Sequence, residues 1–412
     1  MSLIEHLMTP RGEELLALVE PYDSSTVLTL TATLRAQGWE PELIAAALTQ
    51  AQFRWKAGEK FGPFAARMLF TRDGLEQATR LPVAVHHARR YLNAGITHIV
   101  DLTAGIGADA MAFGALGLRV TACDIDAETA TIAAHNVRPF PEVQVINADS
   151  LTLDFETHGI DAIYADPARR TAGRRVFDPA AHLPPLPTVW DLAQRVPALG
   201  VKVGPGIGHE HIPAGTEAQW VSVGGDVVEA SVWFGPLSHT QGRTALLMDH
   251  AGQAAHTFRR LDDEREGADR GTASGPDVPV IATPSDIGSV VYEPDGAIIR
   301  AGLVRDLAAR LDASLLDPSI AYLTGDSAVA PSADGVRLAR AYRVEDVLPY
   351  NVKNLRSYLK ERKVGSVEIK KRGIDITPEK LRPQLGLRGP HSCTVILTRV
   401  GSARVAIIAQ PI

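Results

Sequence analysis

The stretch Asp101-Leu102-Thr103-Ala104-Gly105-Ile106-Gly107-Ala108-Asp109-Ala110 closes a short apolar run that opens at Ile99 and leads into an apolar helical stretch, Ala108 to Leu116. Gly105 and Gly107 permit a tight strand-to-helix turn and let backbone N–H groups come close to a ligand. Outward from this turn the same rhythm recurs. Apolar runs at Arg119 to Cys123, Val143 to Asn147 and Ile160 to Ala165 alternate with helical periodicity, clearest at Ala127 to Asn136. Strands and helices in this order predict an α/β domain with a parallel sheet covered on both faces. Runs near Val201 to Val203, Val227 to Phe234 and Thr244 to Met248 can complete the sheet.

Open parallel sheets bind ligands at the carboxyl ends of their strands, and that is where the acids fall. The pattern Gly105-x-Gly107-x-x-Ala110 also satisfies the dinucleotide fingerprint, so a nicotinamide (NAD)-dependent oxidoreductase stays open. Asp101, four residues before the first glycine, suits the ammonium of an amino-acid-bearing cofactor and would repel a pyrophosphate. Thr103 belongs to the same turn. Asp124 ends the second strand and can bind ribose hydroxyls under either cofactor. Asp149 follows the third strand, where a carboxylate can accept a hydrogen bond from an adenine amine. The fourth strand ends in Tyr164-Ala165-Asp166-Pro167-Ala168-Arg169-Arg170. There Pro167 stiffens the turn, Asp166 can orient a substrate amine or take its proton, and Arg169 or Arg170 can hold a phosphate. The alternative for Asp166-Pro167 is a helix N-cap followed by a first-turn proline.

The 412 residues are 45% hydrophobic and 22% charged, as expected of a folded globular chain with two or three domains. No apolar run reaches the length of a membrane span and residues 1–20 lack the apolar stretch of a signal peptide, so a cytoplasmic protein without membrane attachment is expected. Cys123 and Cys393 are too few for a disulfide framework or a cysteine-based zinc site and read as buried thiols. His209-Glu210-His211 offers no third ligand and reads as a loop, so no metal is expected. His86-His87 reads as helix surface. Residues 1–92 form a helical region, with periodicity over Pro41 to Gln52 and Leu75 to Leu92. Residues 93–260 hold the sheet, 261–279 read as a linker or insertion, 280–340 as a connecting α/β region, and 341–412 as a small α+β domain.

The net charge of -6 is unevenly spread. Between Asn351 and Pro390 eleven basic residues stand against four acidic ones, and such a local basic surface suits a phosphate backbone. Lys353 and the ridge Lys370-Lys371-Arg372 are the candidate RNA contacts, with Tyr350 or Tyr358 available to stack on a base.

The order of these motifs from Leu69 to Asp249 resembles the class I S-adenosylmethionine (SAM)-dependent methyltransferases. That resemblance implies a Rossmann-like seven-stranded sheet with one antiparallel strand, SAM as cofactor and methyl transfer at the Asp166 turn. Leu69 to Thr79 together with Ile99 to Asn136 looks like the trimethylguanosine synthase and bacterial RNA methyltransferase branch, in which the position matching Thr79 helps cover the cofactor. The branch usually has Pro-Pro and an aromatic residue after its strand-end polar residue. Here Ala168 and Arg169 stand in those places, and no cysteine lies in Asp166 to Arg170 for covalent attack on a pyrimidine. The tail from Tyr342 resembles a THUMP-like domain, which implies RNA binding. The resulting expectation is methyl transfer to a nitrogen of a structured RNA, ribosomal or transfer. A non-catalytic RNA-binding protein that keeps the fold is the other alternative.

Overall fold

Six helices precede the first strand: α1 (Leu3–Leu7), α2 (Pro10–Leu18), α3 (Val27–Ala36), α4 (Pro41–Phe61), α5 (Arg72–Gln77) and α6 (Leu81–Asn93). The computed structural model describes residues 2–168, 170–171, 174–175, 178–260, 275–328 and 332–412. Helix α4 runs past the expected end at Gln52, burying Ala51, Phe53, Ala57 and Phe61, until Gly62 turns the chain at φ +54°. The single helix expected over Leu75 to Leu92 is two helices. Ala78 leaves the helical region at ψ 139°, and Pro82 starts the next first turn, where its missing N–H costs nothing.

Contacts divide the chain into two compact units, residues 1–216 with 232–239, and residues 217–231 with 240–412. In the first, β1 (His98–Asp101), α7 (Ala108–Ala115), β2 (Arg119–Asp124), α8 (Ala127–Asn136), β3 (Val143–Asn147) and β4 (Ala162–Ala165) lie close to their expected positions. A two-residue pair, β5 (Arg170–Thr171) and β6 (Arg174–Arg175), α9 (Leu186–Asp191) and β7 (Leu199–Val203) follow. The parallel order is β3-β2-β1-β4-β7. From β1 the chain winds outward to β3 and then returns to lay β4 on the other side of β1. This reversal opens a crevice beyond the carboxyl ends of β1 and β4. Of the further strands, β8 (Glu217–Val223), most of β9 (Asp226–Trp233), β10 (Gly242–Met248) and β11 (Ala255–Phe258) belong to the second unit. There β8 and β10 pair parallel, and β11 pairs antiparallel with β10.

The second unit continues through β12 (Val290–Pro294), α10 (Gly296–Arg300), α11 (Val304–Arg310), β13 (Ser314–Asp317), β14 (Ile320–Gly325), β15 (Ser332–Ala333), β16 (Val336–Arg337) and β17 (Ala339–Pro349). It ends with α12 (Val352–Glu361), β18 (Val364–Lys371), α13 (Pro378–Leu385), β19 (His391–Val400) and β20 (Ala403–Pro411). One seven-stranded sheet, β13-β14-β12-β17-β20-β19-β18, joins strands from both sides of residue 340. Helices α12 and α13 cover one face through Leu355, Leu359, Leu381 and Leu385. On the other face Val291, Leu316, Tyr322, Tyr342, Ile396 and Ile407 form a separate core. The sheet curls, because Lys370 near its β18 end reaches Glu293 of β12 at 2.8 Å and Arg399 of β19 reaches Asp317 of β13 at 2.9 Å. Of the expected linker, residues 261–274 lie outside the described residues. Among the described residues no helix is long and apolar enough to cross a membrane.

Candidate active site

Hydrogen bonds through the glycine turn knit the strand ends together. Thr103 N donates to Asp101 Oδ1 (3.1 Å), while Thr103 Oγ1 accepts from Asp166 N (2.6 Å), tying the end of β1 to that of β4. Gly105 N donates to Asp124 Oδ2 (3.0 Å), and Asp124 Oδ1 accepts from Asp126 N (3.0 Å). Asn147 Nδ2 donates to Asp124 O (2.9 Å), which brings the end of β3 alongside. Asp101, Asp124 and Asp166 are thereby drawn to one crevice. Asp149 stands exposed at the adjoining tip and accepts from Leu151 N at 3.0 Å.

The turn needs both glycines, at φ +54° for Gly105 and +85° for Gly107. A Cβ on Gly105 would enter open space, whereas one on Gly107 would come within 3.1 Å of Val137 Cγ1. Ile106 between them is fixed from two sides. Asn136 Nδ2 donates to its carbonyl (2.9 Å), and Gly74 of α5 packs so closely on its side chain that a Cβ there would collide.

Electrostatics make the crevice unusual. Asp101 is 1% exposed and forms no ion pair among the described residues. Burial, reinforced by the charges of Asp109, Asp166 and Asp124, pushes its carboxyl well above the ordinary range. Burial also raises Asp124, against the two N–H groups it accepts. Asp109 goes the other way. Burial alone would raise it, but the hydrogen bond and charge of His87, then Lys202 and Thr79, hold it below 3.8. Its oxygens contact His87 Nδ1 at 2.9 Å and Thr79 Oγ1 at 2.7 Å. Thr79 is therefore buried with its hydroxyl donated to Asp109. His87 is fully buried, not on a helix surface, because it shares the inward face of α6 with Val83, Ala84, Ala88 and Tyr91.

Asp166 does not cap a helix, since Ala168 after it pairs with Leu183 in a β-bridge. Its Oδ2 accepts from Lys202 Nζ at 2.6 Å, and Lys202 also donates to Gln77 O at 3.1 Å. Lys202, on β7, is 6% exposed. Pro167 is buried, and Arg169 lies outside the described residues. The sequence reading missed Lys202. A lysine inside the apolar strand Leu-Gly-Val-Lys-Val was the available signal, because such a strand is buried and a buried lysine needs a partner.

The tail candidates do not come together. Lys353 is exposed at the start of α12 and Lys371 is exposed on β18. Lys370 and Arg372 instead converge on Glu293, at 2.8 and 3.6 Å. The two-residue period of a strand explains why Lys371 faces away from its neighbours. Among the described residues no group of three or more His, Cys, Asp or Glu side chains could hold a metal. Cys123 and Cys393 are both buried, with thiols pushed up by burial to about 12 and about 11.

A crevice lined by carboxylates, one of them buried without a counter-cation, disfavours a pyrophosphate and suits a ligand that brings an ammonium. The open space in front of Gly105 and the acid ending β2 fit an adenosyl group beside it, as in SAM. With the strand order, these features define a Rossmann-like methyltransferase. Two Mycobacterium tuberculosis proteins, from strains CDC 1551 and H37Rv, are described as uncharacterized S-adenosylmethionine-dependent methyltransferases. Each is 34% identical to this chain over 348 residues, 83% of this chain and 87% of theirs. The chain belongs to this family of S-adenosylmethionine-dependent methyltransferases. SAM is its cofactor, and supplies an activated methyl group when bound. The crystal structure of a Porphyromonas gingivalis W83 protein assigned to the methyltransferases has the same fold, with a TM-score of 0.69 at 21% identity over 95% of this chain and 99% of that one. Residues 339–411 match the family described as THUMP domain-like, and residues 2–57 match a domain of unknown function.

Proposed function

We propose that the chain methylates a nitrogen of a structured RNA, ribosomal or transfer, with Asp166 at the point of transfer. One observation carries this reading: the buried Lys202 ammonium holds Asp166 at 2.6 Å, at the mouth of the acid-lined crevice. A lysine so placed fixes the direction of the carboxylate, which is what an acceptor for an incoming N–H requires. The methyl carbon of a sulfonium is already electrophilic, so the protein's work is to align the acceptor nitrogen and exclude water. When bound, the cofactor would supply the methyl carbon and keep the sulfur as its leaving group, and Asp166 would take the proton that the acceptor nitrogen loses.

In the same reading Asp101 pairs with the cofactor ammonium, with Thr103, Gly105 and Gly107 shaping the wall behind it. Asp124 binds the ribose and Asp149 the adenine amine. Thr79 acts through Asp109, not by touching the cofactor. The THUMP domain-like match and the basic tail support RNA as the acceptor.

The test is transfer of labelled methyl from SAM into total RNA taken from cells lacking the protein, comparing wild type with Asp166→Asn and Asp166→Ala. Incorporation is expected to fall by about 100-fold in both, the range for losing a positioned acid–base group. Equal incorporation by all three removes Asp166 from the mechanism. An absence of incorporation by wild type, with SAM still bound, favours the non-catalytic RNA-binding alternative.

A further inference from the structure

Resting on the reading that the acceptor is RNA, we propose that the RNA backbone is held by one exposed face of α12 and the loop beside it, and not by the basic strand β18. The strand is the obvious candidate in the sequence, but two cations of its Lys370-Lys371-Arg372 ridge are committed and only Lys371 faces outward. Lys370 is 13% exposed and bonds Glu293 and Glu368, and Arg372 pairs with Glu293 and covers the Tyr322 ring. Neutralised in the curl of the sheet, these two cations cannot release counterions to a phosphate chain.

Helix α12 differs. Leu355 and Leu359 point into the core, and Lys353, Arg356 and Lys360 follow one another at spacings of three and four. At about 100° per residue these three lie within about 60° of arc, one strip along the helix. All three are exposed, and none forms an ion pair among the described residues. The strip continues beyond the helix end. Lys363 turns the chain at φ +54°, and Gly389 packs so tightly on the Lys363 carbonyl that a Cβ there would collide. The loop carrying Arg388 is thus held against Lys363. The Arg356 guanidinium comes within 3.7 Å of where a Cβ on Gly386 would sit, which brings the end of α13 and its exposed Arg382 alongside. Six cations without an ion pair among the described residues share this end of the unit, and the two helices carry only Glu361 and Glu379 as acids.

The contact is to phosphates, with little base readout. Tyr358, the aromatic on this helix, is covered by Arg362 at 3.6 Å, and Arg362 is itself near Asp346. A row of fixed cations without an exposed ring binds a polyanion by shape and charge.

The experiment uses the full chain with total transfer RNA and with ribosomal RNA as probes, titrated by fluorescence anisotropy between about 0.05 and 0.3 M salt, the range where such slopes are measured. The triple variant Lys353→Gln/Arg356→Gln/Lys360→Gln is expected to bind about 50-fold more weakly near 0.15 M salt, with the slope of log affinity against log salt reduced by about 2. A second variant, Lys363→Gln/Arg388→Gln, is expected to lose about tenfold, so that a folding defect in either one is recognisable from the other. A control, Arg35→Gln/Lys56→Gln/Arg119→Gln, removes as much charge elsewhere and should change affinity less than about twofold. SAM binding should be unchanged in all. If wild type binds RNA and both face variants keep its affinity and slope, the face is wrong while RNA as acceptor survives. If the control loses as much as the triple variant, binding is general charge attraction and the face is again wrong. If wild type binds no RNA, or binds vesicles containing phosphatidylserine in its place, both readings fall.

Discussion

Replacing Asp101 by Asn tests the cofactor site where its physics is most exposed. Asp101 is buried, raised far above 3.8 by desolvation and by Asp109, Asp166 and Asp124, and has no counter-cation among the described residues. In the free protein the carboxyl stays protonated into a range where an ordinary aspartate is ionised. The cofactor's ammonium pairs with the ionised form. Binding should therefore expel a proton and tighten as pH rises toward the raised value. Removing one partner of a buried charge pair costs about 3–5 kcal/mol, and Asn still accepts a hydrogen bond, so the lower figure applies. About 3 kcal/mol is about 150-fold in affinity. The stability effect has the opposite sign. The folded chain holds this proton where the unfolded chain has released it, so stability falls as pH rises above about 3.9 toward the raised value, and Asp101→Asn abolishes that fall. Isothermal titration of SAM in two buffers of different ionisation enthalpy, between about pH 6 and 8, reads affinity and proton release together. Unchanged affinity in the Asn variant, or wild-type binding without proton release or pH dependence, would refute the assignment.

Lys202→Met should leave SAM affinity nearly intact, lower methyl transfer by about 100-fold and lower unfolding stability by about 1–3 kcal/mol, discounted because Asp166 is partly exposed. A steep shift of its pH–rate profile separates loss of Asp166 positioning from simple destabilisation. Gly107→Ala forces a side chain to φ +85° and presses on Val137, so urea denaturation should show a loss of about 1–2 kcal/mol or more. Asp109 is held below 3.8 in the fold, and its stabilising contribution is present above the unfolded value near 3.9 and lost as pH falls below it. Asp109→Asn should accordingly be less stable than wild type at pH 7 and show a shallower acid limb in a comparison of chemical denaturation near pH 7 and pH 3.

Much of the catalytic unit was legible because its code is local. Strands β1 to β4 are short apolar runs, helices α7 and α8 carry a period of their own, and the turn at Gly105 and Gly107 announces the crevice. The residues that complete the site are of another kind. Lys202 has meaning only beside Asp166, thirty-six positions earlier, and no spacing rule joins β4 to β7. His87 was readable in principle, since Val83, Ala84, Ala88 and Tyr91 place it on the buried side of α6, but a histidine pair invites a solvent reading. The tail misled in the reverse direction. Lys370-Lys371-Arg372 looks like one ridge until the pleat splits it, and the partner of its two inward members, Glu293, is far away in sequence.

That distant partner bears on how the tail can be handled. The segment matching the THUMP-like family begins at residue 339, yet β17 borders β12, and four of the nine buried residues in the core beneath it are Val291, Leu316, Ile320 and Tyr322. Cut out at its apparent boundary, the piece would present a raw strand edge, an apolar floor stripped of its cover and three stranded cations, Lys370, Arg372 and Arg399. It is not a portable module. An excised version should clump or stay unfolded, and any longer one must include Glu293 and Asp317 to keep the curl paired.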